Sequence, residues 1–308
     1  MERKQKKRTG VRADRLISER FPTLTSRQGE EAFESGLILD SAGKRVKKGD
    51  RFDPEETLDS GLLSEHLLKL KAGNAELKIE VVANNPDWLA IDKPPGIPSH
   101  PLSLFDHETV THWAFHHYPK VREAFSETQP TITPHRLDTA TSGLLIVTLT
   151  KEAYEIWRAR FKQHECTKVY LAWCWGKHPQ EKFVIENFLA HDPKDFRRMV
   201  VAGEGIKFRP PTIAAKSEVE LVKVLSDNGP SLYRVTCNTG VTHQVRVQLA
   251  AAGLPLVGDE LYDEKFANRS KRAPFHQLRA VELSWGKQDS QRITVSSSSF
   301  AESPSFTT

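Results

Sequence analysis

The sequence predicts an α+β fold: a mixed, largely antiparallel sheet flanked by helices, preceded by a small N-terminal α/β accessory module. Three observations lead there. Strand-like and helix-like segments mix without a regular strand–helix–strand repeat, and several strands follow one another directly, which disfavours a doubly wound parallel sheet. The 308 residues are 38% hydrophobic and 27% charged, an ordinary globular mix long enough for two compact units or one large one. No internal repeat is countable at any period, so a solenoid is excluded.

The elements follow in order. Residues 1–10 read as a basic tail, because seven of the first fifteen residues are Lys or Arg against Glu2 and Asp14. That run is either a solvated tail or a phosphate-contacting arm. Residues 11–57 form the small module: a helix over ADRLISERF, a second over TSRQGEEAFESG that Gly29 and Glu30–Glu31 weaken, and a strand-like LILDSAGKRVKKGDRF. Residues 58–78 read as a linker with some helix. A larger domain then runs from 79 to 300. IEVVAN and WLAI are adjacent short strands split by the turn Asn85-Pro86-Asp87, and the prolines of DKPPG stop the second. HETVTHWAFHHY places Val110, Trp113, Ala114 and His117 on one helical face with Asp106 as N-cap.

GLLIVTL is a continuous apolar run of buried-strand length, and Thr150 caps a helix whose stripe is Ala153, Ile156, Trp157 and Phe161. KVYLAWCWG alternates as a strand, and two more strands fall near 213–224 and 231–237. TGVTHQVRVQLAAAG is a helix that Thr242 caps and Gly253 ends. SSSSFAESPSFTT is expected to fray, with 301–308 as a tail.

Composition excludes several function classes. No run of about 18 apolar residues exists, so no membrane helix is expected. The basic opening MERKQKKRTG has no apolar stretch behind it, which argues against a secretory signal. Cys166, Cys174 and Cys237 are odd in number and lack metal-ligand spacing, so neither a disulfide scaffold nor a structural zinc is expected, and a reducing cytoplasm is. His112 and His116 stand four apart on a helix, but no third ligand suggests itself. No metal and no cofactor are predicted.

The chemistry concentrates in PHRLDTATSGLLIV. His135, Arg136 and Asp138 occupy a short polar stretch directly before the apolar strand, and Thr141, Ser142 and Gly143 make the turn into it. A carboxylate at the rim of a rigid core element is either a turn cap accepting backbone N–H groups or a positioned reactive group. Spacing alone leaves both open.

HRLDTATSGLLIV resembles the catalytic signature of the RluA-type RNA pseudouridine synthases, HRLDxxTSGLL. NNPDWLAIDKPPGIPSHP is similar to that family's strand-and-turn element, TKVYLAWCWG to its K-x-Y-x-A strand, and GVTHQVRVQLAAAGLPLVGDELY to its G-R-T-H-Q-I-R helix and following G-D-x-x-Y loop. These matches keep their order over about 220 residues. Val241 stands where the family often has Arg, Gln248 where His is frequent, and HQLRA (276–280) replaces the usual L-H-A.

The resemblance implies a pseudouridine synthase catalytic domain and an isomerase that detaches uracil from ribose, turns it, and rejoins it through carbon 5 without cofactor. Asp138 is then the essential carboxylate, whether it attacks the sugar or removes its 2′ proton. Arg246 is the partner that keeps Asp138 ionised, against the reading of a helix-surface arginine, and Tyr170 stacks on the uracil, against that of a packed strand residue. Arg136 is expected to fill the gap left by the extruded base, while His135 either contacts RNA or supports its loop. Lys93, His243 and Gln244 complete the expected RNA-binding set.

RADRLISERF…GKRVKKGDRF is similar to the small RNA-binding module of ribosomal small-subunit protein four. Its second helix is acidic where that module is basic, which leaves an RNA-binding and a packing role open. The implied partner is ribosomal or transfer RNA, with ribosomal RNA favoured, and the protein is expected to act as a cytoplasmic monomer. The rival readings are a non-catalytic RNA-binding or RNA-chaperone protein on the same fold and a hydrolase acting on nucleosides.

Overall fold

The computed structural model describes residues 10–22, 24–53, 58–71, 73–124, 132–226, 229–269, 272–286 and 290–306. The basic arm at Arg3, Lys4, Lys6, Lys7 and Arg8 lies outside the described residues, as do Thr307 and Thr308. The chain divides into one unit of residues 1–78 with 100–132 and a second of 79–99 with 133–308.

In the first unit, β1 (Val11–Arg12) pairs antiparallel with β2 (Arg51–Phe52). Helices α1 (Ala13–Arg20) and α2 (Ser26–Glu34) follow β1. Thr25 starts α2 with a capping box: its side chain accepts from the Gln28 N–H while the Gln28 side chain accepts from the Thr25 N–H. That reciprocal cap offsets the helix-weakening Gly29. The segment read as a linker carries α3 (Gly61–Lys71), and α4 (Val110–His117) and α5 (Pro119–Ala124) complete the unit.

Residues 100–132, expected in the catalytic domain, belong to this unit for a packing reason. Leu63 and Leu104 share one buried core with Ala13, Ile17, Phe33 and Ile38. Glu31 of the acidic helix accepts hydrogen bonds from the Leu104 N–H at 2.8 Å and the Ser103 hydroxyl at 2.9 Å. The cap of α4 is Thr109, which accepts from the His112 N–H. Asp106, expected in that role, instead accepts from the backbone of Leu102 and Ser103.

The second unit holds a ten-stranded sheet. Its strands are β3 (Glu80–Asn84), β4 (Trp88–Lys93), β5 (Ser142–Thr148), β6 (Cys166–Trp175), β7 (Lys182–His191), β8 (Met199–Ala202), β9 (Arg209–Val224), β10 (Pro230–Cys237), β11 (Leu278–Trp285) and β12 (Gln291–Thr294). They lie in the order β3-β4-β5-β11-β6-β10-β9-β7-β8, with β12 against β11. Among the described residues only β5 and β11 run parallel. Every residue of β5 is buried, as a continuous apolar run requires.

Helix α6 (Lys151–Lys162) starts at the expected Thr150 cap, which accepts from the Ala153 N–H. Its buried stripe is Ala153, Tyr154 and Trp157, whereas Ile156 is 53% exposed. Helix α7 spans Gln244–Ala251, and its N-cap is His243 rather than Thr242. Gly253 ends it at a φ of +80°, with its N–H donating to the Ala250 carbonyl. The tail does not fray within the described residues. Helix α8 (Ser298–Glu302) is tied by Trp173 Nε1, which donates to the Phe300 carbonyl at 2.7 Å, and Phe306 packs against Trp175.

Candidate active site

The HRLD loop is held from beneath by groups the fold has buried. Lys93, at the end of β4, is fully buried, and its ammonium donates to the carbonyls of Pro94 at 3.0 Å, Ile97 at 2.7 Å and Thr139 at 3.0 Å. Three donors meet three acceptors, and the last of these belongs to the loop. Burial pulls the Lys93 amine down to about 7. Ser99 ties the same loop at Leu137, with its hydroxyl donating to the Leu137 carbonyl at 3.0 Å. Beyond Asp138, Thr141 donates its N–H to the Asp138 carbonyl, and its hydroxyl shares a 2.7 Å hydrogen bond with the buried ring of His276.

The exit from the loop demands glycine. Gly143 has a φ of +106°, and a Cβ there would lie 2.0 Å from the Ala280 carbonyl oxygen. That close approach is where β5 meets β11, and Ala280 is in turn the register partner of Tyr170 on β6. The sheet therefore carries Gly143, Ala280 and Tyr170 in one row, which brings the tyrosine to the end of the sheet where the Asp138 loop enters. Burial raises the Tyr170 phenol well above its usual value, with the charges of Cys237 and Asp138 adding to the effect, so it stands protonated.

Helix α7 supplies the cation. Arg246 Nη1 donates to Asp138 Oδ2 at 3.0 Å. Its Nε and Nη2 donate at 2.8 Å each to the two oxygens of Asp259, a bidentate pair. The Asp259 side chain is 0% exposed and that of Asp138 27%. Burial pushes the Asp259 carboxyl up, but the Arg246 hydrogen bonds and charge outweigh it and hold the group below the usual range. Asp259 fixes the guanidinium from behind and leaves one edge for Asp138.

His243 sits at φ +55°, a left-handed conformation uncommon outside glycine. Its Nδ1 shares a 2.9 Å hydrogen bond with the Tyr262 hydroxyl, and its Nε2 lies 3.7 Å from Asp138 Oδ2. The Tyr262 hydroxyl also accepts from the Met199 N–H at 2.8 Å, and the Arg246 guanidinium lies 5.0 Å from its ring centroid. Burial lowers the His243 imidazole, against the pull of Asp138.

The structure thus brings together Asp138, Arg246 and His243, with Tyr170 near enough for the Asp138 charge to act on its phenol, and leaves Arg136 exposed on the loop. Three residues expected to contact RNA turn inward. His135 accepts from the Ile146 N–H at 3.0 Å and packs on Phe161, and burial drops its ring to about 3. Lys93 is sealed by its three carbonyls, and Gln244 is buried, bonded to Thr239, Lys216 and Ser217. Sequence reasoning passed over Asp259 and Tyr262, although both stand in the GDELY stretch, because nothing local marks which buried group meets Arg246. Among the described residues no group of His, Cys, Asp or Glu is placed to hold a metal, and no helix is long and apolar enough to cross a membrane.

The comparisons with known proteins point to one family. A family model described as RNA pseudouridylate synthase matches residues 87–251. The chain is 28% identical over 277 residues to the ribosomal large subunit pseudouridine synthase D of Zymomonas mobilis, covering 88% of this chain and 81% of that one. It is 30% identical over 268 residues to an uncharacterized RNA pseudouridine synthase of Chlorobaculum parvum, covering 83% and 76%. Among solved structures, human RNA pseudouridylate synthase domain containing 1 superposes with a TM-score of 0.57 at 24% identity, covering 71% of this chain and 82% of that one, which supports the fold. With the Asp138–Arg246 pair at the mouth of the HRLD loop and the matched segment spanning more than half its length, the chain belongs to the RNA pseudouridylate synthase family.

Proposed function

We propose that Asp138, Arg246 and Tyr170 carry the isomerisation of uridine in structured RNA, and that the RNA is large-subunit ribosomal RNA. The observation that carries the reading is the Arg246–Asp138 hydrogen bond at 3.0 Å, backed by a second, buried carboxylate. A guanidinium so held orients Asp138 and places a fixed positive charge against it where it is partly shielded from water. A non-catalytic RNA-binding protein has no use for that arrangement.

The reaction is redox-neutral. The C1′–N1 bond breaks, a C1′–C5 bond forms, C5 loses a proton and N1 gains one. Asp138 is the group that reacts at the ribose. Tyr170, neutral because of burial, offers a flat face to the detached uracil and a hydroxyl beside it. The target base must leave its helix to reach the pocket, and the exposed Arg136 fills the vacated place in the stack. Ribosomal RNA is favoured because relatives of this chain carry that substrate in their names.

The test is tritium release from unmodified large-subunit ribosomal RNA labelled at uracil carbon 5. Wild-type protein releases the label and frees no base. Asp138→Asn releases less than a few per cent as much while binding the RNA within a few-fold, because phosphate contacts dominate affinity. Free uracil from wild type would mean a hydrolase, and full release by Asp138→Asn would remove Asp138 from the chemistry.

A further inference from the structure

The turn joining β7 to β8, residues 192–198, carries an arginine that the site described above does not use. Its backbone is closed tightly: the Arg198 N–H donates to the Asp195 carbonyl and the Asp192 N–H to the Arg198 carbonyl, both at 2.9 Å. The neighbouring carboxylates Asp192 and Asp195 feel the Arg198 charge, but their hydrogen bonds go to other groups. Asp192 accepts from the backbone of Lys194 and Asp195, and Asp195 holds Arg197 through both oxygens. Arg198 is left without an ion-pair partner among the described residues, and its buried Nε has no acceptor. The guanidinium lies 5.7 Å from the centroid of the Tyr262 ring.

That ring is the one whose hydroxyl bonds His243, and His243 faces Asp138 at 3.7 Å. A guanidinium with no side-chain hydrogen bond among the described residues therefore stands one aromatic side chain away from the group that reacts at the ribose. A buried N–H without an acceptor is costly unless a ligand brings one. The phosphates flanking a nucleotide lie only a few covalent bonds from its C1′, and a planar fork suits them. The same turn exposes Phe196, 64% accessible, with the Arg209 guanidinium 4.0 Å from its ring centroid. A cation over an exposed aromatic suits single-stranded nucleic acid.

We propose that Arg198 binds a phosphodiester of the RNA strand that enters the pocket, next to the extruded uridine. The proposal rests on the RNA-modifying reading above. It makes Arg198 a binding residue for the backbone, distinct from the Asp138–Arg246 pair that reacts with the nucleoside.

The probe is a pool of unmodified ribosomal and transfer RNA transcripts labelled with tritium at uracil carbon 5. Tritium release and the salt dependence of binding are measured on the same pool. Arg198→Gln is expected to raise KM about tenfold with kcat within twofold, and to reduce the slope of log Kd against log salt by about 0.7, one phosphate contact. Arg198→Lys should restore the slope and only part of KM, because the charge returns without the fork. Unchanged KM and slope overturn the proposal. A fall in kcat at constant KM also overturns it, since Arg198 then merely supports Tyr262. Should Arg198→Gln fail to fold, Arg198→Lys decides by raised or unchanged KM. Absence of tritium release by wild type would refute the proposed reaction on this RNA, and the slope comparison would still judge Arg198.

Discussion

Replacing Arg246 with Met isolates the energetics of the site, because its two carboxylate partners differ in exposure. Asp259 has a side chain with 0% exposure and depends on the guanidinium for both of its short hydrogen bonds. Breaking a buried pair from one side costs about 3–5 kcal/mol, since the other charge is left uncompensated. Asp138 is 27% exposed, so water can take the place of its single lost hydrogen bond. Arg246→Met should therefore lower the unfolding free energy by about 3–5 kcal/mol. Adding Asp259→Leu should recover part of that loss, since the Leu261 and Tyr262 N–H groups then lose their acceptor, and adding Asp138→Asn less of it.

The pH dependence has a definite sign. In the wild type the Asp259 carboxyl titrates below its unfolded value, so it contributes stability above about pH 4 that fades as the pH falls further. In the variant the carboxylate keeps only the Leu261 and Tyr262 N–H donors, so burial disfavours its charge and protonation relieves it. The gap between wild type and Arg246→Met should accordingly narrow from pH 7.5 to pH 4.5. Urea unfolding followed by tryptophan fluorescence reads this directly, because Trp88, Trp157, Trp173, Trp175 and Trp285 all lie in the second unit. Equal rescue by Asp138→Asn and Asp259→Leu, or a gap that widens toward acid, would refute the reasoning.

Three further outcomes are expected. Tyr170→Phe should bind the labelled RNA normally and slow a step after base detachment, whereas Tyr170→Ala also loses a stacking contribution of about 1–3 kcal/mol; single-turnover kinetics that match wild type for Tyr170→Ala would assign the residue to packing. Lys93→Met should lower the unfolding free energy by about 1–3 kcal/mol and reduce turnover with it, because the Thr139 carbonyl loses its tie to the buried ammonium; unchanged turnover would show that the loop is fixed without Lys93. Deleting residues 1–57 should expose Leu63 and Leu104, whose buried partners include Ala13, Ile17 and Phe33, so limited proteolysis should cut within 100–124 in the truncated chain and spare that stretch in the full-length one.

Local pattern alone determined a good part of this protein. The polar HRLD stretch before an unbroken apolar run marked both the buried β5 and the carboxylate at its rim. Thr150 and Gly253 marked helix ends, because capping is a matter of neighbouring backbone groups. Tertiary structure decided which polar groups meet in the interior. Asp259 and Arg246 are thirteen positions apart and form the buried pair only because the chain turns back after Gly253. Tyr170 reaches the Asp138 loop because β11, more than a hundred residues later, lies between β5 and β6.

The resemblance leaves His135 open between an RNA contact and a support of its loop, and places Lys93 among RNA contacts. Here an exposed orientation lost to a backbone N–H from Ile146 in one case and three converging carbonyls in the other. Residues 100–132 group with residues 1–78, and Leu104 fills a core whose other members come from that stretch. Periodicity shows that a side chain will be buried; sheet order and chain path decide against what.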